Sequence, residues 1–378
     1  MRIAIIGTRG IPNYHGGFEQ FAEYFSVFLV EQGHEVYVYN SSSHPHKESK
    51  YKDVNIISCK DPEDKIGTAG QFIYDFNCII DSRKRKFDIL LQLGYTSSSI
   101  WYKLLPSKPV IITNMDGLEW MRSKYSRFVQ KFLRFAEKLG VHSSDFLISD
   151  SIGIQNYLKE KYKVNSKYIA YGASLFEHAD IKVLNDYELE KFKYNLLIAR
   201  FEPENNLETI LDGVVLSGKK DVFLVIGKHN TNSFGVYLKD KYKNDKHIRF
   251  IGGIYDIRIL NNLRYYSNLY FHGHSVGGTN PSLLEAMASK TLIIANDNQF
   301  NKSILESDAF YFKDKKDVKK IILSVNKNDY YNKVERCFSK IRTKYNWDLI
   351  NQAYLDYFYL CINQDKEKGL KTSPAQNI

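Results

Sequence analysis

The chain has 378 residues, of which 43% are hydrophobic and 25% are charged. These proportions are typical of a globular protein, and the length predicts two domains because one hydrophobic core rarely serves more than about 300 residues. The formal net charge of +10 favours an anionic partner, but nucleotide, anionic lipid and nucleic acid all satisfy that condition.

The cysteines and the apolar runs indicate neither secretion nor a membrane span. The four cysteines form no CxxC pair, so neither a zinc site nor a disulfide framework is predicted, and a reduced cytoplasmic setting fits. The N-terminal run MRIAIIG is too short for a signal peptide and is typical of a first strand. Because no window of about 18 apolar residues occurs, we expect no transmembrane helix.

The first half begins with a strand, a loop, a helix and a second strand. Arg2–Gly7 and Glu35–Tyr39 are the apolar runs, and this βαβ order predicts an open parallel α/β sheet. The loop TRGIPNYHGGFE places Gly16 and Gly17 directly before the helix. A glycine pair in that position lets the backbone approach a ligand phosphate, and an ordinary turn is the alternative.

Further candidate strands continue this first domain. They are Asn55–Ser58, Ile89–Leu93, Val110–Thr113, Phe146–Ser149 and Lys167–Tyr171. Asp116 and Glu119 follow the third of them, and the carboxyl ends of parallel strands are where open sheets bind ligands. Either carboxylate can orient a hydroxyl or stabilise developing positive charge, while a loop with a helix cap is the alternative.

The clearest amphipathic helix spans Trp120–Gly140 and carries six basic residues against one acidic residue, Glu137. Its apolar stripe consists of Met121, Tyr125, Phe128, Phe132, Phe135 and Leu139. Its basic stripe consists of Lys124, Arg127, Lys131, Arg134 and Lys138. We expect the apolar stripe to pack on the sheet. The basic stripe is either simply solvated or, with its aromatic neighbours, contacts an anionic membrane surface.

The second half repeats the order of strand, loop and helix after a polar linker, Leu175–Lys193. Its candidate strands are Tyr194–Ala199, Val222–Gly227, Ile248–Gly252, Leu269–His272 and Thr291–Ala295. We therefore predict a first domain of residues 1–175 and a second of residues 176–349, with a C-terminal helix in residues 350–378 that returns to the first. Loops of both domains would contribute to a site between them.

One stretch of the second half, His272–Lys290, combines a strand end, a glycine loop and a helix start. Asn280 is a favourable N-cap, and Pro281 suits the first helical position because it has no N–H to leave unbonded. Amides and partial positive charge at such a helix start suit phosphate, and Glu285 about one turn further on suits sugar or ribose hydroxyls. Arg200, at another strand end, can hold a phosphate by two hydrogen bonds. A plain capped helix and an exposed structural arginine are the alternatives.

Three segments of the second half resemble the donor-site motifs of retaining glycosyltransferases of family 4. They are RFEPENN from Arg200, FIGG from Phe250 and GGTNPSLLEA from Gly277. In the first half, GTRGIPNYHGGFE and DGLEW resemble a bacterial subgroup that contains rhamnosyltransferases of capsule and O-antigen synthesis. The resemblance implies the GT-B fold, in which two Rossmann-like α/β domains face each other across a cleft and a C-terminal helix crosses back to the first domain.

The resemblance also implies roles for individual residues. Arg200 would neutralise the pyrophosphate of the donor, and Glu285 would accept hydrogen bonds from ribose hydroxyls. The other implied donor-site positions are Gly16, Gly17, Asn205, Tyr255, Gly277, Gly278, Thr279 and Asn280. Neither a metal ion nor another cofactor is implied, because cationic side chains and helix N-termini supply the positive charge.

Three positions depart from the family pattern. The glutamate expected eight residues before Glu285 is Gly277, so recognition of the donor sugar must differ. The lysine expected five residues after Arg200 is Asn205. The usual histidine of the first domain aligns with Met115. Candidate substitutes for that histidine are Arg9, His272 and His274.

The predicted reaction is transfer of a sugar, with retained configuration, to a lipid-linked glycan in bacterial surface polysaccharide synthesis. The first candidate donor is dTDP-rhamnose, with UDP-sugars next, and Asp116 or Glu119 would align the acceptor or stabilise the oxocarbenium-like state. We expect a cytoplasmic protein, peripheral on the inner face of the membrane through helix 120–140. A sugar-nucleotide epimerase of the same fold and a non-catalytic nucleotide-sugar binding protein are the alternatives. Nucleic-acid binding is not predicted, because no recognised module accompanies the basic residues.

Overall fold

The computed structural model describes residues 1–115, 117–122 and 124–372. Asp116, one of the predicted acceptor-side carboxylates, therefore lies outside the described residues. The chain forms two compact units. The first consists mainly of Met1–Trp120, Arg127–Ala170 and the C-terminal helix, and the second mainly of Tyr171–Asn346.

The first unit contains an eight-stranded sheet in the order β3-β4-β2-β1-β5-β6-β7-β8. Its strands are β1 (Arg2–Ile6), β2 (Glu35–Ser41), β3 (Lys50–Tyr51), β4 (Val54–Cys59), β5 (Ile89–Leu93), β6 (Val110–Asn114), β7 (Phe146–Ser149) and β8 (Lys167–Tyr168). Its first five helices are α1 (Gly17–Glu31), α2 (Glu63–Ile66), α3 (Ala69–Ser82), α4 (Arg127–Ser143) and α5 (Ile152–Tyr162). All pairings are parallel except that of β3 with β4. Strand β3 is a two-residue edge strand that the sequence did not predict.

The second unit contains a six-stranded parallel sheet in the order β11-β10-β9-β12-β13-β14. Its strands are β9 (Tyr194–Ile198), β10 (Val222–Ile226), β11 (Ile248–Phe250), β12 (Tyr270–His272), β13 (Ile293–Asn296) and β14 (Phe310–Phe312). Its helices are α6 (Leu207–Ser217), α7 (Ser233–Lys241), α8 (Ile257–Tyr266), α9 (Pro281–Ala288), α10 (Gln299–Leu305), α11 (Lys315–Ser324) and α12 (Tyr331–Lys340). The predicted parallel α/β architecture is thus confirmed in both halves, with β14 as a further strand that was not predicted.

Both sheets are buried on their two faces, which is why their central strands are continuous apolar runs rather than alternating ones. In the first sheet, Ile3–Ile6 is wholly buried, and in the second no residue of Phe223–Ile226 is more than 1% exposed. Burial of this kind leaves the strand ends and the loops that follow them as the places where polar groups reach solvent.

The C-terminal helix α13 (Trp347–Thr372) belongs to the first unit, as predicted. Its Tyr354 and Phe358 pack on two aromatic rings of α1, with centroid distances of 4.6 Å to Phe21 and 5.5 Å to Phe25, respectively. The Tyr354 hydroxyl also accepts a hydrogen bond of 2.8 Å from Nδ2 of Asn114, at the end of β6. None of the helices in the described part of the chain combines the length and the apolar character that a membrane span needs.

The amphipathic helix starts later than predicted. We expected it to begin at Trp120, but α4 begins at Arg127, and Glu119–Met121 forms a short 3-10 turn. The reason is that Trp120 lies alongside the helix. Its indole N–H donates to Oε2 of Glu137 over 3.0 Å, and the guanidinium of Arg134 lies 4.2 Å from its ring centre.

The expectation that the whole apolar stripe packs on the sheet is wrong. The buried apolar face of α4 consists of Leu133, Ala136, Gly140 and Val141. A Cβ atom at Gly140 would lie 2.8 Å from Cβ of Tyr95, so small residues bring this face close to the core. Phe128 and Phe135 lie outside that face and are 82% and 54% exposed.

A carboxyl group of α3 is buried and forms a single hydrogen bond with the described residues. Asp75 is 5% exposed, and the Ser97 hydroxyl donates to its Oδ2 over 2.5 Å. Burial raises the pKa of the Asp75 carboxyl to about 7. An unfolded aspartate has a pKa near 3.9, so the folded chain binds one proton more than the unfolded chain between about pH 4 and pH 7. The free energy of unfolding therefore falls through that interval and stays lower above it.

We predict that Asp75→Asn stabilises the protein at pH 8 by about 4 kcal/mol and leaves it almost unchanged at pH 4, because the amide cannot ionise. Denaturant unfolding at both pH values measures this. Asp365→Asn, at an exposed position of α13, is the matched control and should have no such effect. An Asp75→Asn protein with the pH dependence of the wild type would contradict the assignment.

Candidate functional site

In the second unit, the loops that follow β9 and β12 are bonded to each other. The backbone N–H and the hydroxyl of Ser275 both donate to the carbonyl oxygen of Glu204, over 3.1 and 2.8 Å. In the other direction, Nδ2 of Asn206 donates to the carbonyl of Gly273 over 2.8 Å. These bonds join the loop that carries Arg200 to the loop that leads into α9.

Gly273 is the point at which the two loops meet. A Cβ atom at this position would lie 2.0 Å from the carbonyl oxygen of Asn205, so only glycine permits the approach. The loop after β13 and the first turn of α10 join the same assembly, because Nδ2 of Asn298 and Nδ2 of Asn301 donate to the carbonyl of His274 over 3.0 and 3.1 Å. Three strand ends therefore contribute to one polar surface.

Arg200 presents its side chain to solvent on this surface. Among the described residues, it forms no ion pair, so its guanidinium is available to an anion. Asn205, at the position of the family lysine, is 4% exposed, and its Nδ2 donates to the carbonyl of Arg200 over 2.8 Å. Asn205 thus shapes the loop beneath the arginine, and direct contact with a donor stays a prediction.

The start of α9 has the predicted form. Oδ1 of Asn280 accepts a hydrogen bond of 2.9 Å from the N–H of Ser282, and Pro281 is the first helical residue. Gly277, four residues before the helix, has a φ of +138° with open space around it. A side chain strains such a backbone, so the family glutamate cannot be restored here without a change of loop conformation. Gly278 and the buried Thr279 complete this predicted loop.

Glu285 is held by a residue that the sequence did not single out. Arg264, on α8, donates from Nη2 to Oε2 of Glu285 over 2.7 Å. The arginine side chain is 1% exposed and the glutamate side chain 19%. No sequence signal distinguished Arg264 from an ordinary surface arginine, because its partner lies 21 residues further along the chain.

Two histidines stack at the end of β12, with ring centroids 4.5 Å apart and planes inclined by 15°. Both ring nitrogens of His272 and Nδ1 of His274 are buried without a hydrogen-bond partner among the residues described. Burial is the main cause that lowers the pKa of His274 to about 3, and the charge of Arg200 lowers it further. Burial also keeps the pKa of His272 well below its usual value. Both rings are neutral near pH 7, so they can form hydrogen bonds but add no positive charge.

Tyr255 lies in the loop that follows β11 and is 72% exposed. The ammonium group of Lys228 is 5.1 Å from its ring centre. An exposed ring at a strand end offers a surface on which a flat base can stack. This placement is compatible with the predicted position of the nucleotide base.

In the first unit, the loop after β1 is tied to its surroundings by side chains. Asn40 accepts from the N–H of Ile11 over 3.1 Å and donates to its carbonyl over 2.8 Å. Oδ1 of Asn13 accepts from the N–H of Gly16 over 3.2 Å. Helix α1 begins at Gly17, and no side chain in the described part of the chain caps its N-terminus. The backbone at this helix start is thus left without a side-chain cap, and contact of Gly16 and Gly17 with a ligand stays a prediction.

The other first-unit candidates have different surroundings. Arg9 forms a two-point ion pair with Glu63, at 3.0 and 2.7 Å, which commits its guanidinium. Met115 is buried in the core at 2% exposure. Glu119 is partly exposed in its 3-10 turn. Within the described residues, Glu119 is thus the acidic candidate that this unit presents near the end of β6.

Comparison with known proteins relates each half of the chain to a family. Residues 182–343 match the family described as Glycosyl transferases group 1, and residues 1–174 match a Domain of unknown function (DUF1972). The second unit therefore carries the match to group 1 glycosyl transferases, which agrees with the resemblance at that level. No curated protein matches the sequence.

Solved structures match over nearly the whole chain. Sucrose-phosphate synthase from Thermosynechococcus elongatus has a TM-score of 0.75 at 16% identity, covering 95% of this chain and 99% of that one. A glycosyltransferase from Rickettsia africae has a TM-score of 0.70 at 15% identity, covering 96% of this chain and 98% of that one. The Anabaena protein HepE, solved with UDP and glucose, has a TM-score of 0.73 at 12% identity, covering 95% of this chain and 99% of that one. The protein thus has the GT-B fold, as predicted.

We predict that Gly273→Ala destabilises the second unit by about 1–3 kcal/mol, because the added methyl group displaces the Asn205 carbonyl. Gly253→Ala is the control, since its Cβ would meet only side-chain atoms, at 3.3 Å. Denaturant unfolding of both variants measures the difference. Equal stability of the two would show that the loops are not in tight contact.

Proposed function

We propose that the protein is a retaining glycosyltransferase that moves a sugar from a nucleoside diphosphate donor to a lipid-linked glycan in bacterial surface polysaccharide synthesis. The observation that carries the proposal is the exposed Arg200 on a loop bonded to the loop before α9, within a domain that matches group 1 glycosyl transferases. A guanidinium and a helix N-terminus together suit a diphosphate, since both offer N–H donors and positive charge.

In the proposed reaction, the bond between the anomeric carbon and the diphosphate oxygen breaks while the acceptor hydroxyl attacks from the same face. The hydroxyl proton passes to the departing phosphate oxygen, which balances the charge, and attack from the same face retains the configuration. Arg200 and the amides at the start of α9 stabilise the negative charge that develops on the leaving group. Asp116 or Glu119 aligns the acceptor or stabilises the oxocarbenium-like sugar.

The choice of donor rests on the resemblance and on one departure from it. The segments GTRGIPNYHGGFE and DGLEW favour dTDP-rhamnose, and HepE, solved with UDP and glucose, supports a nucleotide-linked sugar more generally. The family glutamate that contacts the sugar is replaced by Gly277. A deoxysugar, with fewer hydroxyl groups, is compatible with that loss.

We predict that Arg200→Ala lowers turnover by about 100-fold or more, because the leaving diphosphate loses a preorganised cation. Release of dTDP from dTDP-rhamnose, in the presence of a lipid-linked acceptor, measures it, with UDP-glucose tested in parallel. Arg342→Ala, at an exposed position of the same unit, is the control. A near-normal rate for Arg200→Ala would contradict the role of Arg200.

The same assays separate the alternatives. If another donor reacts and dTDP-rhamnose does not, the assignment of the sugar changes but the reaction class stays the same. Interconversion of the donor without any acceptor, followed by NMR, would identify an epimerase. Binding of donor without release of nucleotide would identify a binding protein.

We further propose that α4 contacts the anionic lipid surface on which the acceptor is carried. Its exposed side combines the aromatic residues Phe128 and Phe135 with basic side chains. The exposed basic residues of α4 are Arg127, Lys131, Arg134 and Lys138, and the exposed Lys124 precedes the helix. Basic side chains attract anionic headgroups, while aromatic rings enter the interface, so the two exposed sets act together.

We predict that exchanging Lys124, Arg127, Lys131 and Arg134 for glutamate weakens binding to phosphatidylglycerol vesicles by about 100-fold or more, since each cation contributes roughly 1 kcal/mol. Vesicle co-sedimentation at low salt measures it. The control exchanges four exposed lysines of the second unit, Lys220, Lys316, Lys319 and Lys320. Unchanged binding of the α4 variant, or an equal loss in the control, would remove this surface from the proposal.

A further inference from the structure

We propose that Arg264 is a positioning residue that holds Glu285 ready to accept a hydrogen bond from a ribose hydroxyl of the donor, an inference that rests on the proposed function. Arg264 would not contact the nucleotide itself. It would act through the carboxylate, by fixing its orientation before the donor arrives.

The guanidinium of Arg264 is fixed by three contacts. Nη2 donates to Oε2 of Glu285 over 2.7 Å and to the hydroxyl of Ser282 over 3.2 Å. Nη1 donates to Oδ1 of Asn261 over 2.8 Å. The hydroxyl of the buried Tyr270 lies 2.9 Å from that of Ser282 and so supports the second contact. Because the planar guanidinium cannot turn, the carboxylate bonded to it is oriented too.

The burial of the pair is asymmetric. The Arg264 side chain is 1% exposed and needs compensation, because an unpaired charge in the interior is strongly destabilising. Glu285 is 19% exposed at the surface of α9 and has access to solvent. Apolar residues of similar volume often replace a buried ion pair without loss of stability, so stability alone gives no reason for an arginine here. What the arginine adds is a surface carboxylate with a fixed orientation.

The pair leaves one acceptor open. Oε2 of Glu285 is bonded to Arg264, whereas Oε1 has no hydrogen-bond partner among the residues described. A ribose hydroxyl can donate to this second oxygen. Since the side chain is already ordered, binding loses little rotamer entropy, which is the advantage of a preorganised site.

Titration calorimetry with nucleotides that differ only in their ribose hydroxyls tests the inference. The probes are dTDP against 2′,3′-dideoxythymidine diphosphate and UDP against 2′,3′-dideoxyuridine diphosphate. In the wild type, the parent nucleotide should bind about 10- to 100-fold more tightly, as expected for a hydrogen bond to a charged acceptor. In Arg264→Gln, the ratio of the dissociation constant of the dideoxy nucleotide to that of its parent should fall to about 3 or less, while the dideoxy nucleotide binds almost as before. A change in folding alone would weaken both nucleotides equally.

Two further variants complete the test. Arg264→Lys keeps the positive charge without the planar fork, so it should fold even if Arg264→Gln does not, and its ratio should fall at least about threefold. Arg258→Gln, an exposed position on the same helix, should keep the wild-type ratio.

The possible failures can be told apart. A wild type that binds neither parent nucleotide would contradict the proposed function. A wild type that binds parent and dideoxy forms equally, or Arg264 variants that fold and keep the wild-type ratio, would overturn only the role given to Arg264.

Discussion

The candidate donor site depends on one close contact between two backbones. At Gly273 the chain passes so near to Asn205 that a Cβ atom would lie 2.0 Å from the carbonyl oxygen. Bonds from Ser275 and Asn206 join the same two loops. Arg200 belongs to one of these loops and α9 follows the other, so the contact determines where a cation and a helix start lie relative to each other. Such an arrangement is preorganised, and binding an anion there needs little rearrangement.

Two arginines of the second unit have different surroundings and different proposed roles. Arg200 is exposed and unpaired among the described residues, whereas Arg264 is buried and bonded to Glu285. The stacked histidines add hydrogen-bonding groups without charge, because burial lowers the pKa of both. With Asn205 at the position of the family lysine, Arg200 is the cation that this loop offers to a diphosphate. The proposed chemistry therefore relies on the Arg200 guanidinium together with backbone amides.

Much of this architecture could be predicted from local sequence patterns. Buried parallel strands are continuous apolar runs, and the cap at Asn280 followed by Pro281 follows from local hydrogen bonding. The two-residue strand β3 carries too few residues for a pattern, whereas β14 was missed although it is as long as β11 and β12. The late start of α4 could not be predicted, because it depends on Trp120 meeting Glu137. The pairing of Arg264 with Glu285 was missed for the same reason, since long-range contacts leave no periodic signal.

The central claim is that a nucleoside diphosphate binds at the joined loops of the second unit. A crystal structure of the protein with dTDP or UDP tests it most directly. The account predicts the diphosphate at the N-terminus of α9, with its oxygens within hydrogen-bond distance of the Arg200 guanidinium and a ribose hydroxyl at Glu285. A nucleotide bound elsewhere, with Arg200 and Glu285 both unoccupied, would contradict it.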